Sequence, residues 1–275
     1  MSSQTPAILL GGAADLPRHE VERLLMAATG LDRAGILLTG ALPDEEVHRF
    51  EALVARRRAG EPLQYLEATV DFGPVTLRID HRALIPRPET ERLWELATEL
   101  LGVDDVKVIV DLCTGSGNLA LACARHWPGA RVLATDRSTA AAALARENAD
   151  ALALPVEVLV GDLFDPLPPA LAGRVDLLVA NPPYLSEAEL EQVPAEVLAE
   201  PRDALVAGPD GIEVVARIGA EAGRWLGPEG IALVEVSEHH AGRAAALFAG
   251  LDATVCHDLT GRPRFVVARR PGEER

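Results

Sequence analysis

The sequence has almost no lysine and few aromatic residues or cysteines. Of its 26 basic residues only Lys107 is a lysine, while 42 residues are acidic, so the formal net charge is −16. A chain this acidic disfavours stable binding to a bare nucleic acid, because neutralisation of phosphates by cations drives that affinity. The three cysteines, Cys113, Cys123 and Cys256, have no metal-ligand spacing and no even disulfide framework. They favour reduced thiols in the cytoplasm.

Long apolar runs are also missing. No apolar stretch approaches the length of a membrane-spanning helix, and the opening residues MSSQTPAILL lack the basic and apolar regions of a signal peptide. What is present, 48% hydrophobic and 25% charged residues, is typical of a globular chain. The sequence therefore predicts a soluble cytoplasmic protein with no membrane partner.

Residues 16–60 have the periodicity of helices. Apolar residues recur at helical spacing in LPRHEVERLLMAATG and in PDEEVHRFEALVARRRAG, which end at Gly30 and Gly60. DRAGILLTG lies between them and could form another helix, so we expect a small domain of about four helices. In residues 66–84 apolar residues alternate around Gly73-Pro74, which predicts a β-hairpin that links two domains.

Residues 85–275 alternate between strand and helix patterns. Apolar runs such as VKVIVDLC, ARVLATD, VEVLVGD and VDLLVA are typical of buried strands, and segments of helical periodicity separate them. Strands that alternate with helices of 10–15 residues predict an α/β fold with a doubly wound, mostly parallel sheet.

A glycine-rich turn, DLCTGSGNLALA, follows the first of these strands. It places Asp111, Thr114, Gly115 and Gly117 at the carboxyl end of a strand, where ligands bind in open α/β sheets. Its spacing is not that of the dinucleotide fingerprint, and it lacks the P-loop lysine, so a pyrophosphate is not the expected ligand. A tight connection with no ligand is the alternative explanation.

Two further carboxylates close the next strands. Asp136 follows the glycines by about 20 residues, where an acidic residue commonly accepts hydrogen bonds from ribose hydroxyls. Asp162 could accept the exocyclic amine of an adenine, with Leu163 packed on the ring. The alternatives are a helix N-cap at Asp136 or Ser138 and an Asx-turn at Asp162. Together the three strand ends predict an adenosine pocket without phosphate recognition, which suits S-adenosylmethionine.

Six segments of the chain resemble the HemK/PrmC family. They are IPRPETE (85–91), DLCTGSG (111–117), TD (135–136), GD (161–162), NPPY (181–184) and EPRDALVAGPDG (200–211). The family consists of protein-(glutamine-N5) methyltransferases that modify the Gly-Gly-Gln glutamine of peptide chain release factors. NPPY alone is shared with adenine-N6 DNA methyltransferases, whereas its combination with IPRPETE and EPRDAL is much more specific. A sister family that methylates a ribosomal protein shares DLCTGSG, but its upstream motif typically diverges from PRPETE.

The resemblance implies a class I, seven-stranded, Rossmann-like methyltransferase domain at residues 85–275. It also implies a helical substrate-recognition domain at 1–65, a hairpin linker at 66–84, S-adenosyl-L-homocysteine as the product and release factors as partners. The cofactor residues expected in this sequence are Asp111, Thr114, Gly115, Gly117, Asp136, Asp162, Leu163 and Asn181, with Arg87 and Glu89 ordering the lid of the pocket. A proline-capped helix start with acidic residues in its first turn would explain Arg87 and Glu89 equally well.

NPPY predicts how a planar amide is held. Asn181 offers a side-chain carbonyl and Pro182 a backbone carbonyl, and two such acceptors can hold both hydrogens of a glutamine amide. Pro182 and Pro183 stiffen the segment and present no competing N–H. Tyr184 can pack against the flat amide and close the slot. Asn181, Pro182 and Tyr184 are therefore the predicted catalytic residues, and all four residues are predicted to bind substrate.

Other functions fit parts of this pattern. An adenine-N6 DNA methyltransferase would have to flip a base, and the basic, aromatic-rich segment expected for that is missing. Arg56-Arg57-Arg58 is short and typical of a solvated helix face or a contact for an acidic protein. A methyltransferase for a small molecule or another peptide would share the fold and cofactor site. A non-enzymatic cofactor-binding module would not need an intact NPPY.

Two segments depart from the family pattern. The region after Tyr65-Leu66 lacks the glycine often seen there and reads EATVDF. After GIALVEV the family usually has Glu-x-Gly followed by one or two glutamines, whereas this chain reads Glu235-Val236-Ser237-Glu238-His239-His240. Adjacent imidazoles diverge and no third ligand is evident, so we predict an exposed helix start and no metal.

Overall fold

The structure is a computed structural model that describes residues 4–271. These residues divide into two compact units. The first unit runs to Thr69 and includes Pro194–Ala199, and the second comprises Val70–Val193 and the chain from Glu200 onwards. Within residues 4–271, no helix is long and apolar enough to cross a membrane.

The first unit is built from short helices around an apolar core. They are α1 (Pro6–Gly12), α2 (Arg18–Thr29), α3 (Arg33–Leu38), α4 (Asp44–Arg58) and α5 (Leu63–Glu67). Leu24 and Leu25 of α2 are buried with Val47 and Phe50 of α4, at the helical spacing that the sequence shows. Gly30 ends α2 in the left-handed region, at φ +70°.

The three consecutive arginines of α4 are ion-paired within this unit. Arg57 is mostly buried, and its guanidinium bonds Glu20 at 2.6 Å and Glu196 at 3.0 Å. Arg56 bonds Glu61 at 2.7 Å, and Arg58 bonds Asp15 at 2.8 Å. The prediction of a solvated basic face is therefore wrong for Arg57, because its side chain is mostly buried between two carboxylates, whereas Arg56 and Arg58 remain exposed.

The predicted hairpin lies in the second unit, apart from its first residue, Thr69. Its strands are β1 (Thr69–Phe72) and β2 (Val75–Arg78). The turn residue Gly73 has φ +48°, and a Cβ there would lie 3.1 Å from the ring of Trp94. Phe72 and Leu77 are buried in the core of the second unit. The hairpin is therefore part of that core.

Alternating strands and helices form the rest of the second unit. The helices are α6 (Pro88–Leu100), α7 (Asn118–His126), α8 (Thr139–Leu152), α9 (Glu187–Leu190), α10 (Arg202–Leu205), α11 (Glu213–Trp225) and α12 (Ala241–Ala245). The strands are β3 (Val108–Leu112), β4 (Arg131–Asp136), β5 (Val156–Val160), β6 (Val175–Ala180), β7 (Leu185–Ser186), β8 (Val206–Gly208), β9 (Leu226–Glu235), β10 (Asp252–His257) and β11 (Pro263–Arg269).

Seven strands make the central sheet, in the order β10-β11-β9-β6-β3-β4-β5. The five strands from β9 to β5 are parallel, and β11 pairs antiparallel with both β9 and β10. Val110 of β3 lies opposite Leu133 of β4 and Leu178 of β6, so β3 is covered on both edges. Apolar clusters bury both faces of the sheet, which explains the continuous apolar runs of its strands.

The sheet order fixes where a ligand can bind. The chain moves from β3 to β4 and β5 on one side, then crosses to β6 and β9 on the other. A crevice opens outside the carboxyl ends of the strands at such a switch point, here between β3 and β6. The motifs DLCTGSG and NPPY follow these two strands, so the topology brings them together.

Candidate active site

A cavity of about 330 Å³ lies at the carboxyl ends of β3, β4, β5 and β6, within the second unit. This volume is in the range of small-ligand pockets, roughly 300–1,000 Å³. Eight of the residues singled out in the sequence line it, namely Asp111, Thr114, Gly115, Asp136, Asp162, Leu163, Asn181 and Pro183. Arg87, Glu89, Gly117, Pro182 and Tyr184 are not part of the described lining.

The glycine-rich turn forms one wall of the cavity. Gly115 has φ +56°, and a Cβ added to it would meet nothing within 4 Å, so the backbone borders open space. Gly117 has φ +87° and is the N-cap residue of α7, where a Cβ would lie 3.1 Å from Leu121. Both positions need the left-handed conformation that glycine adopts without strain. Gly117 therefore allows the turn to pack closely against α7, while Gly115 leaves room for a ligand.

Asp111 is a buried carboxylate at the end of β3 with one free oxygen. Its Oδ2 accepts hydrogen bonds from Thr114 Oγ1 at 2.6 Å and from the backbone N–H of Ala120 at 3.1 Å. Its Oδ1 is buried and has no hydrogen-bond partner among residues 4–271. Burial raises the pKa of Asp111 to about 7. A buried acceptor left unpaired at a cavity wall is well placed to receive a cationic N–H donor.

Asp136 ties the end of β4 to the glycine turn. Its Oδ2 accepts the N–H of Gly115 at 2.9 Å, and its Oδ1 accepts the N–H of Ser138 at 2.8 Å. Burial raises its pKa, although these two bonds and the charge of Arg137 oppose that shift. Ser138 caps α8 by accepting the N–H of Ala141. Since Ser138 fills the capping role, the carboxylate of Asp136 keeps its remaining lone pairs for a ligand.

Asp162 lies at the cavity wall but already has a partner. Arg217 of α11 donates to its carboxylate at 2.8 and 3.2 Å. Leu163 is buried with φ +47°, a conformation that is uncommon for residues other than glycine. The pair with Arg217 keeps Asp162 in the wall, and a carboxylate in such a pair can still accept a further N–H.

Asn181 is held by a buried hydrogen-bonded chain. Its Nδ2 donates to Thr90 Oγ1 at 2.9 Å, and Thr90 Oγ1 donates to Glu235 Oε2 at 2.7 Å. Its Oδ1 is buried and has no hydrogen-bond partner in the described chain. Asn181 therefore presents a free carbonyl acceptor at the wall of the cavity, immediately after β6.

The rest of NPPY is packed more deeply. Pro182 and Pro183 are buried, and Tyr184 is half-buried. Burial, aided by the charge of Glu235, raises the pKa of the Tyr184 hydroxyl above its ordinary value. The two buried prolines fix the direction of this segment after β6, and the phenol remains neutral near pH 7.

The motifs IPRPETE and EPRDAL are joined to each other. Glu200 is buried, accepts the backbone N–H of Ile85 at 2.9 Å and forms an ion pair with Arg87. Glu89 lies 3.5 Å from Arg262. Arg87 precedes Pro88 at the start of α6, which is the proline-capped helix start considered above. Arg87 thus connects two segments that border the cavity, without lining it.

The structure brings three further residues to the site, Thr90, Glu235 and Arg217. Thr90 lies inside IPRPETE, but only its neighbours Arg87 and Glu89 were selected. Glu235 is an acidic residue at the end of a buried strand, so the rule that selected Asp111 and Asp136 would have selected it too. Arg217 has no such signal, since an arginine on an amphipathic helix is ordinary.

The two buried acids should make folding stability depend on pH. Burial raises the pKa of both Asp111 and Glu235 to about 7, so between about pH 4 and pH 7 the folded state binds more protons than the unfolded state. The free energy of unfolding should therefore fall as pH rises through this window. We expect a loss of ~2 kcal/mol or more between pH 5 and pH 8, measured by urea unfolding.

Asp111→Asn provides the control, because asparagine does not titrate. This variant should show a flatter dependence on pH than the unchanged protein. A free energy of unfolding that is equal or higher at pH 8 would contradict the assignment of raised pKa values.

The structure gives no metal site in the described chain. Residues 4–271 contain no group of three or more His, Cys, Asp or Glu side chains that could hold an ion. His240 Nε2 lies 3.8 Å from the carboxylate of Glu189, and His239 is exposed. His240 precedes α12 directly, so the paired histidines stand at a helix start.

Solved structures support the fold. The hMettl16 catalytic domain, in complex with a MAT2A 3′UTR hairpin, is 16% identical, covers 97% of this chain and 92% of its own, and gives a TM-score of 0.60. A methyltransferase from Pyrococcus furiosus is 17% identical, covers 71% of this chain and 89% of its own, and gives a TM-score of 0.53. With the observed sheet order, these likenesses confirm the class I methyltransferase fold.

Family models and relatives identify the family. The PrmC N-terminal domain matches residues 8–67, and the methyltransferase small domain matches residues 95–223. A release factor glutamine methyltransferase of Mycolicibacterium smegmatis is 44% identical over 96% of this chain and 94% of its own length. One of Deinococcus radiodurans is 41% identical over 98% and 97%. This chain belongs to the family of release factor glutamine methyltransferases.

Proposed function

We propose that this protein transfers a methyl group from S-adenosylmethionine to the side-chain amide nitrogen of the Gly-Gly-Gln glutamine in a peptide chain release factor. One observation carries the proposal. Asn181 presents an unpaired, buried carbonyl oxygen at the wall of a cavity that has the features of a cofactor site. A neutral acceptor of this kind matches the N–H of a planar amide, and the family membership makes a protein glutamine the expected acceptor of methyl groups.

The residues at the cavity fit S-adenosylmethionine. Asp111 has a free Oδ1 for the ammonium group, and the open backbone at Gly115 leaves space beside it. Asp136 would accept the ribose hydroxyls, and Asp162 with Leu163 would hold the adenine. When bound, the cofactor supplies an electrophilic methyl group on a sulfonium centre.

The residues of NPPY would hold the glutamine. An amide nitrogen is a weak nucleophile because its lone pair is delocalised into the carbonyl, so the enzyme must position it and stabilise the charge that develops on it. Asn181 Oδ1 and the backbone carbonyl of Pro182 would each accept one amide hydrogen. These acceptors bind more strongly as positive charge grows on the nitrogen, which favours the transition state over the ground state.

The remaining site residues would have supporting roles. Pro182 and Pro183 are buried and rigid, so the two acceptors would keep their spacing when substrate binds. Tyr184 would pack against the flat amide, and Arg87 and Glu89 would order the segments that border the cavity. Residues 1–65 would recognise the release factor, with the hairpin of residues 66–84 leading to the methyltransferase domain at 85–275.

The test is to locate the transferred methyl group. The full chain is incubated with methyl-labelled S-adenosylmethionine and, in separate reactions, a release factor, duplex DNA and a cell extract. We expect label on the release factor, and none on a variant in which the glutamine of Gly-Gly-Gln is replaced by alanine.

Other locations of the label would reject the proposal in distinct ways. Label on duplex DNA would favour the adenine-N6 reaction, which uses the same tetrapeptide. Label only on another component of the extract would keep methyl transfer but change the acceptor. Since the arginines of α4 are ion-paired, we expect the DNA reaction to remain unlabelled.

A further inference from the structure

Thr90 and Glu235 form a buried chain of hydrogen bonds that ends at Asn181. Thr90 lies in the first turn of α6 and is 0% exposed, and Glu235 is the last residue of β9 and is 1% exposed. Asn181 Nδ2 donates to Thr90 Oγ1 at 2.9 Å, and Thr90 Oγ1 donates to Glu235 Oε2 at 2.7 Å. Three separate elements, α6, β6 and β9, therefore meet at one threonine hydroxyl.

The hydrogen bonds of this chain run in one direction, from Asn181 to Glu235, because an amide can donate whereas an ionised carboxylate can only accept. An ionised carboxylate only accepts hydrogen bonds, so the single proton of the Thr90 hydroxyl must point to Glu235. Only the lone pairs of Thr90 Oγ1 are then left for Asn181. The amide of Asn181 must turn Nδ2 towards Thr90, which leaves Oδ1 as its other arm, and Oδ1 is the buried acceptor with no partner in the described chain.

We propose that Thr90 and Glu235 are positioning residues that set the orientation of the Asn181 amide, so that its oxygen and not its nitrogen meets the substrate. The two arms of an asparagine amide have nearly the same shape, so packing alone distinguishes them poorly. A flipped amide would present a donor to the donor N–H of a glutamine, and the substrate would be repelled. The inference deepens the proposed function and rests on it for the identity of the substrate.

The negative charge of Glu235 is needed for this orientation of the Asn181 amide. Burial raises the pKa of Glu235 to about 7, the bond from Thr90 and the charges of Arg264 and Arg87 oppose the shift, and Glu89 adds to it. Tyr184 also faces this carboxylate and remains neutral. Protonated Glu235 could donate to Thr90 Oγ1 and free the Thr90 proton for Asn181 Oδ1. The amide would then be turned the wrong way, so kcat should fall as the pH drops below about 7.

Matched substitutions separate the effect of the Thr90 hydroxyl from the effect of the side-chain volume. Thr90→Val keeps the volume but removes the hydroxyl, and Thr90→Ser restores it. Thr98→Val makes the same change on α6 away from the site, where Thr98 Oγ1 donates to the carbonyl of Glu95. Each variant is assayed for methylation of a release factor, for S-adenosylhomocysteine affinity by calorimetry and for thermal unfolding.

We expect Thr90→Val to lower kcat at least about 10-fold with little change in cofactor affinity, because a misplaced contact costs turnover more than binding. Thr90→Ser should recover most of the loss, and Thr98→Val should match the unchanged protein. Glu235→Gln should make the decline of kcat below pH 7 shallower, since glutamine does not titrate whereas Asp111 still does. A kcat for Thr90→Val within twofold of the unchanged protein, or a decline in Glu235→Gln as steep as in the unchanged protein, would overturn the inference.

A second readout does not depend on catalysis. The side-chain NMR signals of Asn181 can be assigned by their loss in Asn181→Ala, and exchange of the Nδ2 hydrogens with solvent can be measured. We expect slow exchange in the unchanged protein, in Thr90→Ser and in Thr98→Val, and exchange at least about 10-fold faster in Thr90→Val. Equal exchange in all variants would overturn the inference. If the unchanged protein labels no release factor, the proposed function fails, whereas this measurement still decides the role of Thr90.

Discussion

Replacement of Asn181 with alanine should lower kcat by about 10²-fold or more, while the affinity for S-adenosylhomocysteine stays within a few-fold. Asn181 Oδ1 has no hydrogen-bond partner in the described chain, so it is free to accept an N–H of the glutamine amide that reacts. Alanine removes that acceptor and leaves Thr90 without the donor from Nδ2. The measurement is the single-turnover rate of release factor methylation, with calorimetric titration of S-adenosylhomocysteine alongside.

The outcome separates a catalytic role from a structural one. Thermal unfolding of the variant should remain cooperative, because the deleted group lies at a strand end and not inside the sheet. A single-turnover rate near that of the unchanged protein would remove Asn181 from the mechanism. A loss of turnover that simply follows a loss of cofactor affinity would make it a cofactor residue and not a substrate residue.

Replacement of Asp136 with alanine should weaken S-adenosylmethionine binding by about 10²-fold, the value of two lost charge-assisted hydrogen bonds to ribose hydroxyls. Because Asp136 also holds the N–H groups of Gly115 and Ser138, part of the loss would come from the glycine turn. Calorimetry measures the change directly. Asp165→Ala is the matched control, since it removes a nearby exposed carboxylate that does not line the cavity.

An altered ligand distinguishes the two causes. An S-adenosylhomocysteine analogue without the 2′- and 3′-hydroxyls should bind the unchanged protein more weakly than the parent compound. If Asp136 contacts the ribose, the same analogue should show almost no further loss with Asp136→Ala, because the two changes remove one interaction. Equal penalties in both proteins would show that Asp136 acts only through the turn.

Much of the fold could be predicted from the sequence because its signals are local. The apolar strand runs and the amphipathic helix segments follow from periodicity, and Gly30 and Gly73 mark a helix end and a hairpin turn. The segment from β7 to β8 was not predicted. Its strands are two and three residues long, and they are stabilised by pairing with each other across about 20 residues of chain.

The candidate site was predictable to the extent that it follows one rule of α/β sheets. Residues at the carboxyl ends of parallel strands share one edge, so Asp111, Asp136, Asp162 and Asn181 could be grouped before their positions were known. The partners of those residues could not. Arg217 comes to Asp162 from α11, 55 residues further along the chain, and no local pattern records such a pairing.

The type of fold, the alternation of its main strands and helices, and the residues that end those strands follow from the sequence, because they depend on periodicity and on turn chemistry. The orientation of those residues depends on contacts between distant segments of the folded chain. Thr90 and Glu235 are 145 residues apart, yet Thr90 donates to Glu235 and accepts from Asn181, whose carbonyl oxygen has no partner in the described chain. The direction of a hydrogen-bonded chain depends on which groups are brought within 3 Å of one another, and chain order does not specify that.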